Sequence, residues 1–144
     1  MKTVPSLNVI LDNAKYACDT LRNQSAHSMC LYSPQVEEER KKSAFVLNYF
    51  REALNTEQIE VYFQPIIGTM SKKCRGYEVL SRWVVPGKGI LSPGEYIPVL
   101  EKSYDIYKLD LYVLRKACGF IRKLDEEQKK NLFVSFNLSR HDFQ

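Results

Sequence analysis

No stretch of this 144-residue chain approaches the ~18 consecutive apolar residues that a membrane-spanning helix needs. The opening residues, MKTVPSLNV, also lack the apolar core of a secretion signal. Nothing in the segment exports or anchors it, so a cytoplasmic location is expected, with any anchor lying outside these residues. An excess of one charge is missing as well. The net charge is +4, and acids and bases interleave in EEERKK (37–42) and KLDEEQKK (123–130). Such interleaving makes a solvated surface rather than a stripe for polymeric nucleic acid. The four cysteines, Cys18, Cys30, Cys74 and Cys118, contain no C-x-x-C pair. That spacing argues against zinc or a disulfide framework, and small reduced core residues are expected instead. Internal repeats and low-complexity segments are absent. With 44% hydrophobic and 26% charged residues, the composition is that of a globular protein of one domain or two small ones.

What is present divides at about residue 55. Residues 6–21 predict a helix, with Ser6 as its N-cap and Leu7, Ile10, Leu11, Ala14, Cys18 and Leu21 at helical spacing. After the polar turn NQSAHS, the run Met29 to Tyr32 predicts a short strand. Ser33-Pro34 opens a second helix, serine as the cap and proline at the first position, with Glu37, Glu38 and Glu39 near the positive end of its dipole. Its apolar stripe is Val46, Phe50, Ala53 and Leu54, and Asn55-Thr56 end it. Lacking internal proline or glycine, this helix is expected to be a semi-rigid connector.

From Ile59 the pattern changes. IEVYFQPII predicts a strand, GTMSKKCRG a polar turn, and YEVLSRWVV a second strand. VPGKGILSPGEY reads as a loop closing on a capping box, with Ser92 as N-cap, Pro93 first and Glu95 third, so a helix follows over 93–102. A further helix is expected over 106–124, with Leu109, Val113, Ala117, Phe120, Ile121 and Leu124 on one face. LFVSFNLS, 132–139, reads as a strand buried on both sides. Strand, helix and strand in this order predict a parallel α/β unit.

Side chains two apart on a strand share a face. Glu78, Leu80 and Arg82 therefore line one face of YEVLSRW, against Tyr77, Val79, Ser81 and Trp83. Phe133, Ser135 and Asn137 line one face of LFVSFNLS; Glu60, Tyr62, Gln64 and Ile66 line one face of IEVYFQPII. Each strand is expected to have one apolar face and one carrying isolated polar groups, a pattern that suits a barrel with helices outside and a site within. A buried charge is costly unless it is paired or bound to a cation. A carboxylate and an amide oxygen suit magnesium or manganese, and an arginine at a strand end is a fork for phosphate. A structural reading stands beside this one: Glu78 and Arg82 pair with each other or face water, and Asn137 satisfies a loop.

Four strings, FQPI, YEVLSRW, LSPGEYIP and FNLS, occur in an order that resembles the N-terminal part of an EAL domain, from about Leu54 to Gln144. The family's signature glutamate is matched by Glu78, in EVL, where Val79 points away from the site. The resemblance implies α/β architecture, the first part of a modified (β/α)8 barrel, and a phosphodiesterase that opens cyclic di-GMP to linear pGpG with Mg2+ or Mn2+. It implies Glu78 and Asn137 as catalytic metal ligands, and Gln64, Leu80 and Arg82 as substrate contacts. LDNAKYACDTLRNQ followed by SMCLYS resembles the last helix and strand of a GGDEF domain. The implied organisation is a GGDEF-like end over 1–33, a connector helix over 34–55 and an incomplete EAL domain over 56–144. A full barrel of this type needs roughly 250 residues. The resemblance therefore places further acidic ligands and a catalytic lysine beyond Gln144, and the segment alone is not expected to turn over. The implied partner is cyclic di-GMP, with EAL-to-EAL homodimers in the parent and no membrane contact from these residues. Two rival readings are a receptor that binds cyclic di-GMP without cleaving it, and a truncated interaction fragment.

Overall fold

Alternating apolar residues in IEVYFQPII and CRGYEVLSRWVV build an antiparallel pair, β1 (Ile59–Ile67) and β2 (Cys74–Val85). The computed structural model describes residues 6–21, 32–129 and 132–139. They fall in two compact units, 1–45 and 46–144.

In the first unit, α1 spans Leu7–Leu21, as the spacing predicts. Its apolar stripe is largely open among the described residues. Leu7 is 70% exposed and Leu11 59%, while Ala17 is the buried residue. Arg40 donates to Asn13 Oδ1 at 3.0 Å and lies 5.7 Å from the centre of the Tyr16 ring. The expected strand at 29–32 falls on residues outside the described ones, apart from Tyr32.

Helix α2 runs from Pro34 to Asn55, and the Val36 amide donates to the Ser33 hydroxyl at 3.4 Å. Its C-terminal residues Val46, Phe50 and Ala53 are buried in the second unit. The helix stops where the Gln58 amide closes back on the Ala53 carbonyl at 2.9 Å, which places Glu57 in the left-handed region at φ 57°.

The second unit is built on a four-stranded sheet. Val79 of β2 faces Phe63 of β1, and the register runs from Ile59 opposite Trp83 to Ile67 opposite Cys74, with a bulge at Ile66/Ile67. The opposite edge of β2 is shared. A short strand β3 (Gly89–Leu91) pairs antiparallel with Trp83–Val85, and β4 (Phe133–Phe136) pairs parallel with Gly76–Val79. The parallel pairing is the predicted one. β3 is a strand where a loop was expected. β4 is shorter than the predicted 132–139, and it is not buried on both sides, since Phe133 and Ser135 are exposed.

Helices α3 (Pro93–Lys102) and α4 (Ile106–Arg122) and a single turn, α5 (Glu126–Lys129), connect β3 to β4. The predicted capping box is in place, with the Ser92 amide donating to Glu95 Oε2 at 2.9 Å. Trp83 centres the core, fully buried between Phe50 at 6.2 Å and Tyr96 at 6.0 Å, both edge-on. Its indole nitrogen donates to Gln58 Oε1 at 3.3 Å. A second aromatic group stacks Phe63 on Phe120 at 4.1 Å with Tyr77 edge-on. The outward face of β2 is not wholly apolar. Ser81 sits there with its hydroxyl 2.8 Å from that of Tyr96, whose phenol burial pushes above its ordinary pKa, so the pair stays neutral. The cysteines depart from expectation too: Cys18, Cys74 and Cys118 are exposed, and Cys30 lies outside the described residues.

The β2–β4 junction depends on a missing side chain. A Cβ at Gly76 would lie 2.3 Å from the Phe133 carbonyl oxygen and 2.9 Å from its ring. The nearest obstacle is backbone, so the strands would have to separate. Gly76→Ala should cost about 1–3 kcal/mol, the range for overpacking. Amide exchange in Phe133–Phe136 should rise; unchanged protection there would show that the close approach is not needed.

Candidate functional site

The register places the polar positions in rows. Gln64 on β1 faces Glu78 on β2, and Glu78 faces Ser135 on β4. One step toward the C-terminal end of β2, Tyr62 faces Leu80; one step further, Glu60 faces Arg82. Asn137 follows β4 directly, on the same face as Ser135, and donates from Nδ2 to Glu78 Oε1 at 2.9 Å. The five candidate positions, Gln64, Glu78, Leu80, Arg82 and Asn137, thus share one side of one sheet. Gln64 and Asn137 are exposed, and Glu78, Leu80 and Arg82 are half-buried.

Two of these side chains are held in place. Asn137 orients Glu78. Arg82 donates from Nη1 to the carbonyl of its neighbour Ser81 at 2.7 Å, which leaves most of the guanidinium fork available. Because β4 leaves the shared edge of β2 after Val79 and β3 joins it only at Trp83, Leu80–Arg82 have a strand on one side only among the described residues. A cavity of about 130 Å³ opens in that gap, between Leu80, Arg82, Ile97, Asp110 and Asn137.

The segment after β4 is fastened by two acids that the sequence reading did not select. Ser139 donates from its amide to Asp110 Oδ2 at 3.2 Å and from its hydroxyl to Glu101 Oε1 at 2.9 Å. Both acids lie on helices, α4 and α3, where charge is common, so no local signal marks them. Alternation along β1 sets Glu60 and Tyr62 on the same face as Gln64. The Tyr62 hydroxyl donates to Glu60 Oε2 at 2.7 Å. That bond, with the negative charge of Glu60, raises the Tyr62 pKa, so Tyr62 remains a donor at neutral pH.

Among the described residues no group of three or more His, Cys, Asp or Glu could hold a metal ion. Glu78 and Asn137 nevertheless fit one as part of a larger set. They offer a carboxylate and an amide oxygen, the hard donors that Mg2+ and Mn2+ take. The amide presents nitrogen to Glu78, and a rotation of about 180° exchanges that nitrogen for oxygen.

Known proteins resemble the chain in sequence and in fold. Over 138 residues the chain is 28% identical to the oxygen sensor protein DosP of Escherichia coli, covering 94% of this chain and 17% of DosP. It is 25% identical over 134 residues to the bifunctional diguanylate cyclase/cyclic di-GMP phosphodiesterase MucR of Pseudomonas aeruginosa, covering 93% and 20%. The chain therefore spans a fifth or less of the length of these relatives. Among solved structures it resembles the PaMucR phosphodiesterase in complex with c-di-GMP, with a TM-score of 0.61 and 29% identity over 66% of this chain and 38% of that one. The EAL enzyme Bd1971 shares the fold, with a TM-score of 0.65 at 19% identity over 98% of this chain and 37% of that one. A family model described as the EAL domain matches residues 47–144, beginning within α2 and ahead of the Leu54 expected from the motifs. That match covers well over half of the sequence, and the chain belongs to the EAL domain family.

Proposed function

We propose that the protein carrying this segment hydrolyses cyclic di-GMP to linear pGpG with the help of Mg2+ or Mn2+. The observation that supports this best is the 2.9 Å contact of Asn137, the residue that follows β4, with Glu78 on the adjacent parallel strand β2, on the same side as Gln64, Leu80 and Arg82. The similarity to named cyclic di-GMP phosphodiesterases points the same way.

In this reading Glu78 and Asn137 hold the cation, whose Lewis acidity supplies the charge stabilisation that phosphodiester cleavage requires. Arg82 presents its free guanidinium nitrogens to a phosphate. Leu80 supplies an apolar wall beside it, and Gln64 holds the dinucleotide from the facing strand. The four strands would be the first part of a (β/α)8 barrel, with further site residues contributed from outside the segment. Residues 1–33 would be the end of a GGDEF-like domain and α2 the connector. Pairing of EAL domains into a homodimer belongs to the same reading.

The test is incubation of the intact protein with cyclic di-GMP and Mg2+ or Mn2+, followed by nucleotide chromatography. Linear pGpG that appears only with the cation is the expected result. Tight binding without product would overturn hydrolysis in favour of a receptor.

A further inference from the structure

The inner face holds one carboxylate that the proposed chemistry does not use. Glu60 is exposed and lies directly across the β1–β2 ladder from Arg82. Directly opposed strand residues have Cα atoms about 4.5–5.5 Å apart, so the two side chains look into the same space. Their described hydrogen bonds go elsewhere, Arg82 to the Ser81 carbonyl and Glu60 to the Tyr62 hydroxyl. Tyr62 fixes one carboxylate oxygen and leaves lone pairs on both, since an ionised carboxylate accepts at about four sites.

An anion in this place repels a phosphate and suits a group that offers only donors. A guanine presents such a group: on its Watson–Crick edge N1–H and N2–H2 point the same way, while adenine offers there an acceptor at N1 beside its amine. We propose that Glu60, held by Tyr62, reads the N1–H and N2–H2 edge of one guanine while Arg82 takes the neighbouring phosphate. The assignment rests on the proposed phosphodiesterase reading and adds to it a residue that sets base preference.

The experiment compares the intact wild-type protein with Glu60→Ala and Tyr62→Phe on cyclic di-GMP and on its inosine analogue, which keeps N1–H and lacks the N2 amine. Wild type should favour guanine by about 10–100-fold in kcat/KM, the scale of losing a hydrogen bond to a charged group. Glu60→Ala should remove most of that preference through KM, with kcat for cyclic di-GMP within a few-fold of wild type. Tyr62→Phe should give a smaller loss in the same direction. Because both side chains are exposed, the melting temperature should be unchanged and folding does not confuse the result. If Glu60→Ala keeps the full guanine preference, Glu60 does not read the base, and hydrolysis by wild type stands. If wild type neither binds nor cleaves either dinucleotide, both readings fail together.

Discussion

Glu78→Gln should lower cation-dependent hydrolysis of cyclic di-GMP by the intact protein by about 10³-fold. The substitution keeps shape and removes one negative charge. Several kcal/mol of transition-state charge stabilisation ride on the cation it would hold, and each 1.36 kcal/mol is about tenfold in rate. Stability should change little, because Glu78 is half-buried on the open face and a glutamine oxygen can still accept from Asn137. The melting temperature serves as the control, and added Mn2+ should restore only a small part of the rate. A variant that cleaves at near wild-type rate would show that Glu78 holds no essential cation.

The largest effect on stability is expected at Trp83. Trp83→Ala should cost about 3–5 kcal/mol, the range for truncating a buried aromatic residue. The indole is fully buried and packs edge-on against Phe50 and Tyr96, so its loss strips partners from α2, β2 and α3 together. It also leaves Gln58 without the donor it accepts from. Domains of this kind have only about 5–15 kcal/mol in total, so the variant should be partly unfolded at 37 °C. Urea unfolding followed by circular dichroism measures this; fluorescence does not serve, since Trp83 is the only tryptophan of the chain. A loss below about 1 kcal/mol would mean that the core closes over the gap.

Much of the second unit was legible because its signals are local. Period-two alternation predicted β1, β2 and the shared polar face, and Ser92-Pro93-Glu95 marked the start of α3 to the residue. What failed depended on partners that a linear pattern does not contain. The stripe Leu7, Ile10, Leu11 in α1 is helical as expected, and its burial was never legible, because periodicity says nothing about what stands opposite; these residues are exposed. Cys118 sits beside Ala117 and near Phe120, and Cys74 between Lys73 and Arg75, yet both are exposed. Gly89–Leu91 is too short for alternation to register, and it becomes a strand only because Trp83–Val85 offer it an edge. Ser81 is polar on a face read as apolar, because Tyr96 supplies a hydroxyl to it from a helix fifteen residues away. The common side of the candidate residues on β1 and β2 was legible because strand phase alone sets it, whereas Asp110 and Glu101 reach Ser139 through tertiary contact.

The alternation of β1 and β2 also bears on how such a protein can change over generations. Ile59 is 2% exposed while the next residue, Glu60, lies open, and Tyr62 lies open between half-buried Val61 and Phe63. On the proposed reading, adjacent codons therefore answer to unrelated selective demands, one to folding and the next to ligand. A lineage can exchange the exposed Glu60, Tyr62 or Gln64 at little cost to the folded state, so the ligand preference proposed for them would be free to drift on a constant scaffold. A one-codon deletion in β1 has no such freedom. It would reverse the facing of every strand residue on one side of the gap, turning core residues to the open face and polar ones into the core. Gene histories in this strand should accordingly record substitutions and almost no insertions or deletions.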